Sequence, residues 1–154
     1  MKKKISLFIV ALSIFGSCFA YKIEKDVNSV YSNVFKTLIT IVKEQNPDQY
    51  PKLVLSASDF ILQRIPEKFD GAAFEKRSKY KPAAKFEQAV WIRVEDMRLE
   101  EDKLYVTAII QQQKNGEFVN WKDDIDNYEL IYRCNFEDNT FELIDYLESA
   151  TNNP

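Results

Sequence analysis

Residues 104–121, LYVTAIIQQQKNGEFVNW, contain two strand patterns joined by a turn. Every second residue from Leu104 to Ile110 is apolar, the alternation that places one face of a strand in a core. Asn115-Gly116 ends this pattern, and the dipeptide is the preferred centre of a two-residue hairpin turn. We therefore predict that residues 118–121 fold back antiparallel on residues 109–113.

Three further runs share this period of two. They lie at residues 90–94, 128–134 and 141–144. Polar segments at residues 100–103 and 137–139 separate them, and both have the composition of turns. Such short connections leave no room for crossover helices, so the pattern predicts antiparallel strands and not a parallel sheet.

The first half of the chain has the spacing of helices. Between Val27 and Val42 the apolar residues recur three and four positions apart, and Asn46-Pro47 ends the pattern. A second helix is predicted from Pro51 to Ile65, because proline suits a first helical turn and Pro66 stops the pattern. The apolar stripe of this second helix consists of Tyr50, Leu53, Val54, Ala57, Phe60, Ile61 and Ile65. The two helices are expected to form a hairpin.

Residues 67–86 are the least regular part of the chain. Asp70-Gly71 indicates a turn, and residues 72–79 are compatible with a brief helix before Pro82. We interpret the segment as a basic linker that joins the two halves over the surface.

Helices followed by hairpin-linked strands predict an α+β domain at residues 21–154. The expected architecture is an N-terminal helical hairpin packed on a four- to five-stranded antiparallel meander. In outline this is similar to cystatin-like and nuclear-transport-factor-like folds, a likeness of shape that no sequence motif accompanies.

Residues 1–20 have the organisation of a bacterial signal peptide. Three lysines, Lys2–Lys4, precede an apolar run at residues 5–16 that is shorter than the roughly 20 residues of a membrane-spanning helix. Cys18-Phe19-Ala20 then supplies the small residues that signal peptidase requires. We predict cleavage after Ala20 and export to the periplasm or the medium.

An alternative interpretation of the same segment is a lipoprotein signal. Phe15-Gly16-Ser17-Cys18 resembles the lipobox of bacterial lipoproteins, although Phe15 stands where leucine is usual. Acylation of Cys18 would anchor the exported domain to a membrane.

Charge argues against one class of partner. The full chain has a net charge of −3, which becomes −6 once the three lysines of the signal segment are removed. Nucleic-acid binding depends on neutralising phosphates with basic residues, so we predict no nucleic-acid partner.

The chain lacks the residues of several kinds of catalysis. It has no histidine and only three glycines, which removes the usual general base, the commonest metal ligand and glycine-rich phosphate loops. Once Cys18 is removed or acylated, Cys134 is the one remaining cysteine, and its strand pattern predicts a buried, inert thiol. We therefore predict a protein that is not an enzyme and has no cofactor or metal site.

Two groups of carboxylates are interpreted as solvated loops. Asp123, Asp124 and Asp126 have some of the spacing of a calcium loop, but Tyr128 stands at a ligand position and the required glycine is absent. The second group, at residues 95–102, surrounds the turn of a predicted hairpin.

A basic segment is the predicted partner-binding site. Its cations are Lys76, Arg77, Lys79, Lys81 and Lys85, and aromatic residues are interleaved with them. Exposed cations of this kind would meet an anionic lipid, a cell-wall polymer or an acidic protein. The simpler interpretation is a charged surface linker.

These observations predict an exported, non-enzymatic binding protein whose partner is an unknown protein or an anionic surface polymer. The alternative is a carrier of a small apolar ligand, held in a pocket between helix and sheet. Aromatic residues on the predicted strands would line that pocket, pack in the core or lie under the linker. They are Trp91, Tyr105, Trp121, Tyr128 and Tyr132.

Intact mass spectrometry of the protein recovered from its own cells tests the export prediction. We expect a mature chain that begins at Tyr21. A mass that corresponds to an acylated Cys18 at the N-terminus would contradict simple cleavage and establish the lipoprotein alternative.

Overall fold

A computed structural model of the chain describes residues 17–45, 52–69, 72–138 and 140–150. The described helices are α1 (Ser17–Gln45), α2 (Asp59–Leu62) and a single 3₁₀ turn (Ala84–Phe86). The strands are β1 (Leu53–Ser56), β2 (Lys68–Phe69), β3 (Ala72–Arg77), β4 (Val90–Glu100), β5 (Lys103–Lys114), β6 (Glu117–Asn120), β7 (Asn127–Asn135) and β8 (Thr140–Ser149). Residues 1–16 of the predicted signal peptide lie outside the described residues.

The strands form one mixed sheet in the order β2-β3-β1-β4-β5-β7-β8, with β6 paired to the end of β5. β1 runs parallel to both of its neighbours, β3 and β4. All the other described pairs are antiparallel. The predicted helical hairpin on an antiparallel meander is therefore wrong, because the sheet is larger and contains parallel pairs.

The predicted second helix is replaced by β1 and the short α2. All four residues of β1 are buried, with Leu53 and Leu55 on the face that α1 covers and Val54 on the other. A strand buried on both faces is apolar without alternation, and over so few residues this pattern also fits one side of a helix. The pairing of residues 53–56 with β3 on one side and β4 on the other shows that they form a strand and not a helix.

The prediction of a brief helix at residues 72–79 is also wrong, because residues 72–77 form β3. From β3 the chain crosses β1 to reach β4, and residues 78–89 make this connection over the face of the sheet opposite α1. We call residues 78–89 the crossover and this face the second face. The crossover contains one 3₁₀ turn, so a parallel connection forms here without an α-helix.

The first predicted helix is confirmed, although α1 begins at Ser17, well before Val27. It ends at Gln45, next to Asn46-Pro47 as predicted. Its predicted apolar face packs on the sheet, where Val34, Leu38 and Val42 are buried. The Tyr132 hydroxyl donates a hydrogen bond to Thr37 Oγ1 (2.9 Å) and so ties β7 to the helix.

The strands of the second half are present and antiparallel, as predicted. The hairpin at Asn115-Gly116 pairs residues 111–114 with residues 117–120. Both turn residues have positive φ angles, 54° and 79°, which asparagine and glycine tolerate. Two register shifts, at Glu95 in β4 and Ile144 in β8, bend the sheet.

The main core lies between α1 and the sheet. Its strand residues include Val90, Ile92, Val106, Ile110, Tyr128 and Leu130. Within the described residues no helix is both long enough and apolar enough to span a membrane.

Paired alanine substitutions distinguish the strand from the predicted helix. Leu55 is fully buried and lies outside the predicted helical stripe, whereas Phe60 belongs to that stripe and is 54% exposed. We expect Leu55→Ala to lower the free energy of unfolding by about 2–5 kcal/mol and Phe60→Ala by less than about 1 kcal/mol, measured by urea denaturation. The reverse order would contradict the parallel β1.

Candidate functional site

A small second core attaches the crossover to the sheet. Its buried residues are Val54, Phe86, Ala89 and Trp91, and Tyr80, Ala83 and Phe118 pack against them. Trp91 is at its centre, with ring centroids 5.2 Å from Phe86, 5.5 Å from Tyr80 and 5.2 Å from Phe118, all edge to face. Burial of several aromatic rings therefore stabilises the crossover in one position.

Tyr80 is held on three sides. Its ring stacks on Phe118 with centroids 4.2 Å apart, and the Arg93 guanidinium carbon lies 4.0 Å from the Tyr80 ring centroid. The Tyr80 hydroxyl donates a hydrogen bond to Gln111 Oε1 at 2.5 Å. Burial raises the pKa of Tyr80 to about 12, so the phenol is protonated throughout the physiological range.

Gln113 connects the middle of the crossover to β5. Its side chain is fully buried on the second face. It accepts a hydrogen bond from the Ala83 amide (3.1 Å) and donates one to the Ala83 carbonyl (2.8 Å). These two bonds pair the backbone N–H and C=O groups of Ala83, as a neighbouring strand would, and so hold the crossover against β5.

Glu87 connects the end of the crossover to the β5–β6 turn. Its carboxylate accepts hydrogen bonds from the backbone amides of Asn115 (2.6 Å) and Gly116 (3.3 Å). The Asn115 amide is the main reason that the pKa of Glu87 is lowered, because a hydrogen-bond donor favours the ionised form.

The structure divides the predicted basic site into two parts. Lys76 is separated from the rest, because its ammonium group donates to the Ile65 carbonyl (2.8 Å) and pairs with Glu67 (2.6 Å). Arg77 and Lys85 lie on the second face, where their cationic groups are 5.2 Å and 4.5 Å from the centroid of the Phe86 ring. Lys79 and Lys81 are exposed on either side of Tyr80.

Lys52 joins this group and could not be assigned to it from the sequence. Its ammonium nitrogen lies 4.9 Å from the Phe86 centroid and 2.9 Å from Glu75, which also pairs with Lys85 (3.0 Å). Hydrogen bonds from Lys52 and then Lys85 lower the pKa of Glu75. We call Lys52, Arg77, Lys79, Lys81 and Lys85 the crossover cation patch. Lys52 belongs to the patch because it precedes β1, which lies between β3 and β4. The sequence did not predict this position, because parallel strands pair with residues far away in the chain.

Three cations of the patch, Lys52, Arg77 and Lys85, surround the Phe86 ring, and Lys79 and Lys81 are exposed elsewhere on the crossover. Such groups suit phosphate, sulfate or carboxylate ligands, and arginine adds a planar pair of donors. Within the described residues no group of three or more Cys, Asp and Glu is arranged to hold a metal ion.

The aromatic residues singled out from the sequence occupy different surroundings. Trp91 lies under the crossover, which is one of the three predicted placements. Tyr128 and Tyr132 are buried in the main core, and Trp121 packs against it. Tyr105 is half-buried on the second face, where the Arg98 guanidinium carbon is 5.0 Å from its ring centroid.

Of the two predicted acidic loops, the first is a surface turn, whereas the second group lies mostly in β4 and only residues 101–102 form a turn. Asp123 and Asp124 are exposed between β6 and β7, and the Asp126 carboxylate accepts a hydrogen bond from Asn120 Nδ2 (2.7 Å). At the β4–β5 hairpin, Arg98 pairs with Glu129 (3.2 Å).

Cys134 is buried as predicted, and burial raises the pKa of its thiol.

A polar surface depression of about 370 Å³ lies beside α2 and β3. It is lined by Asp59, Leu62, Gln63, Glu67, Lys76 and Ser78.

The side chain of Cys18, the predicted lipidation site, is outside the described part of the chain.

No protein family, curated protein or solved structure is significantly similar to this chain. The arrangement of the crossover is therefore the basis for assigning a function.

Glu87→Gln tests whether the carboxylate fixes the crossover. Because the pKa of Glu87 is lower in the folded chain, its stabilisation is present above the unfolded pKa of about 4.5 and is lost as the pH falls through the folded pKa. We expect the substitution to lower the unfolding midpoint near neutral pH and to reduce the loss of stability on acidification. Thermal melts between about pH 7 and about pH 3 measure this.

Glu117→Gln is the matched control, because Glu117 is exposed in the same hairpin. An identical acid profile for Glu87→Gln and Glu117→Gln would show that Glu87 does not fix the turn.

Proposed function

We propose that this chain is an exported, non-enzymatic binding protein that holds an anionic surface of the bacterial envelope through the crossover cation patch. The export part of the proposal rests on the signal segment at residues 1–20. The partner class rests on the patch.

The observation that carries the proposal is the attachment of the crossover to the sheet. Trp91, Gln113 and Glu87 hold its beginning, middle and end, by ring contacts and by hydrogen bonds to backbone groups. An ordinary charged linker requires none of these attachments. A fixed backbone reduces the entropy lost when the cations bind, which favours a surface adapted for binding.

The charge balance of the patch also favours an anionic partner. Of the carboxylates described here, Glu75 lies between two of the cations, Lys52 and Lys85. Glu75 holds the two lysines in place, but its single negative charge does not neutralise the five cations of the patch. Lys79 and Lys81 extend the positive charge to the exposed part of the crossover.

The alternative function, a carrier of a small apolar ligand, has no specific observation in its favour. Among the described residues, buried side chains such as Phe35, Leu38 and Val42 fill the region between α1 and the sheet. The carrier function stays a prediction.

Binding to lipid vesicles tests the proposal. We expect the chain to bind vesicles that contain phosphatidylglycerol, and to bind less as the salt concentration is raised. The triple variant Arg77→Gln, Lys79→Gln, Lys81→Gln should weaken binding about tenfold or more, because each basic residue near an anionic surface contributes about 1 kcal/mol. Co-sedimentation with the vesicles measures both effects.

A control variant separates the patch from overall charge. Lys68→Gln, Lys103→Gln, Arg133→Gln makes the same change in net charge at sites away from the crossover. It should bind the vesicles almost as well as the unaltered chain. An equal loss in both variants, or binding that does not depend on salt, would contradict the proposal.

A further inference from the structure

β8 forms one end of the sheet and pairs only with β7 among the described strands. It is ten residues long, from Thr140 to Ser149. Along the outer edge of such a strand, alternate residues present unpaired backbone N–H and C=O groups. Natural proteins normally keep open edges short, bulged or charged, because a long flat edge can pair with other chains. β8 is long and charged, and it has one bulge, at Ile144.

The side chains of β8 differ between the two faces. Leu143 and Tyr146 lie opposite Tyr132 and Leu130, so they are on the face that α1 covers. They are 38% and 46% exposed, which leaves an apolar margin beyond the helix. On the second face, Glu142 and Asp145 lie opposite Arg133 and Ile131. Leu147, 45% exposed, also lies on the second face, and Glu148 lies on the α1 face opposite Tyr128. The open edge is therefore mainly apolar on the α1 face, and its second face carries the two carboxylates beside one apolar residue.

Basic neighbours balance only part of this acidic charge. On the second face, Glu142 lies 3.8 Å from Arg133. On the α1 face, Glu148 pairs with Lys122 at 2.6 Å. Asp145 is exposed, and the adjoining β7–β8 turn adds two further exposed carboxylates, Glu137 and Asp138. The edge thus retains a negative charge that an incoming strand would have to match.

This charge argues against a second copy of the chain as the occupant of the edge. Antiparallel pairing of two β8 strands centred on Asp145 would place Asp145 opposite its own copy on the second face. Like charges directly opposite each other destabilise a strand pair. The acidic edge therefore discourages self-association and favours a basic partner.

We propose that β8 binds an extended segment of another protein as an added strand, and that this segment alternates apolar with lysine or arginine residues. Its apolar side chains would lie beside Leu143 and Tyr146, and its basic side chains beside Glu142 and Asp145. Backbone hydrogen bonds supply affinity in such strand addition, and the alternating side chains supply specificity. This site lies at the other end of the sheet from β3 and does not depend on the crossover cation patch.

Peptide binding to the purified full chain tests the proposal. The probe is a capped ten-residue peptide of alternating valine and lysine. Two comparison peptides replace its lysines with glutamate, or two central valines with proline. Proline keeps the charge but removes backbone donors, so that peptide cannot add a complete strand.

We expect the valine–lysine peptide to bind at least about tenfold more tightly than either comparison peptide, measured by isothermal titration. Amide hydrogen exchange should slow in residues 140–149 when it binds. The variant Glu142→Gln, Asp145→Asn should weaken binding several-fold, while the control Glu101→Gln, Glu117→Gln, with the same change in charge elsewhere, should not.

Several results would overturn the proposal. Equal binding of the proline peptide would mean that charge attraction alone is responsible, and protection outside β8 would place the site elsewhere. A chain that already dimerises through β8 without peptide would establish a second copy as the occupant. Vesicle binding by Glu142→Gln, Asp145→Asn should be unchanged, so failure here is distinguishable from failure of the crossover proposal.

Discussion

β1 is buried on both faces, and the rest of the structure follows from the need to cover it. Leu53 and Leu55 require an apolar layer on one face and Val54 on the other. α1 provides the first layer, and the crossover, through Phe86 packed against Trp91 of β4, provides the second. Each fully buried aliphatic side chain contributes about 1.5–3 kcal/mol, so a strand of four residues is stable only when both layers are present.

Covering β1 also positions the charges. The crossover starts next to Arg77 and carries Lys79, Lys81 and Lys85 across the second face to β4, where Lys52 joins them. The acidic residues of β8 lie at the opposite end of the sheet. A chain with a modest net negative charge therefore has separate basic and acidic surfaces, each suited to a different partner.

The sequence predicted the strands of the second half and the long helix because their signals are local. Alternation from Leu104 to Ile110, the Asn115-Gly116 turn and the Asn46-Pro47 stop depend on neighbours in the chain. The parallel strands could not be predicted in this way, since residues 53–56 have no alternation and their partners lie about 20 to 40 residues away. The same reason explains why Arg77 and Lys85 were predicted as part of the basic site and Lys52 was not.

Nuclear Overhauser contacts across β1 test the central claim most directly. If β1 lies between β3 and β4 and is parallel to both, backbone contacts should connect residues 53–56 with residues 74–77 on one side and residues 90–93 on the other. Contacts should also connect the Val54 side chain with the Trp91 ring. A continuous series of sequential amide–amide contacts from residue 51 to residue 65, without the cross-strand contacts, would indicate the predicted second helix and contradict the fold described here.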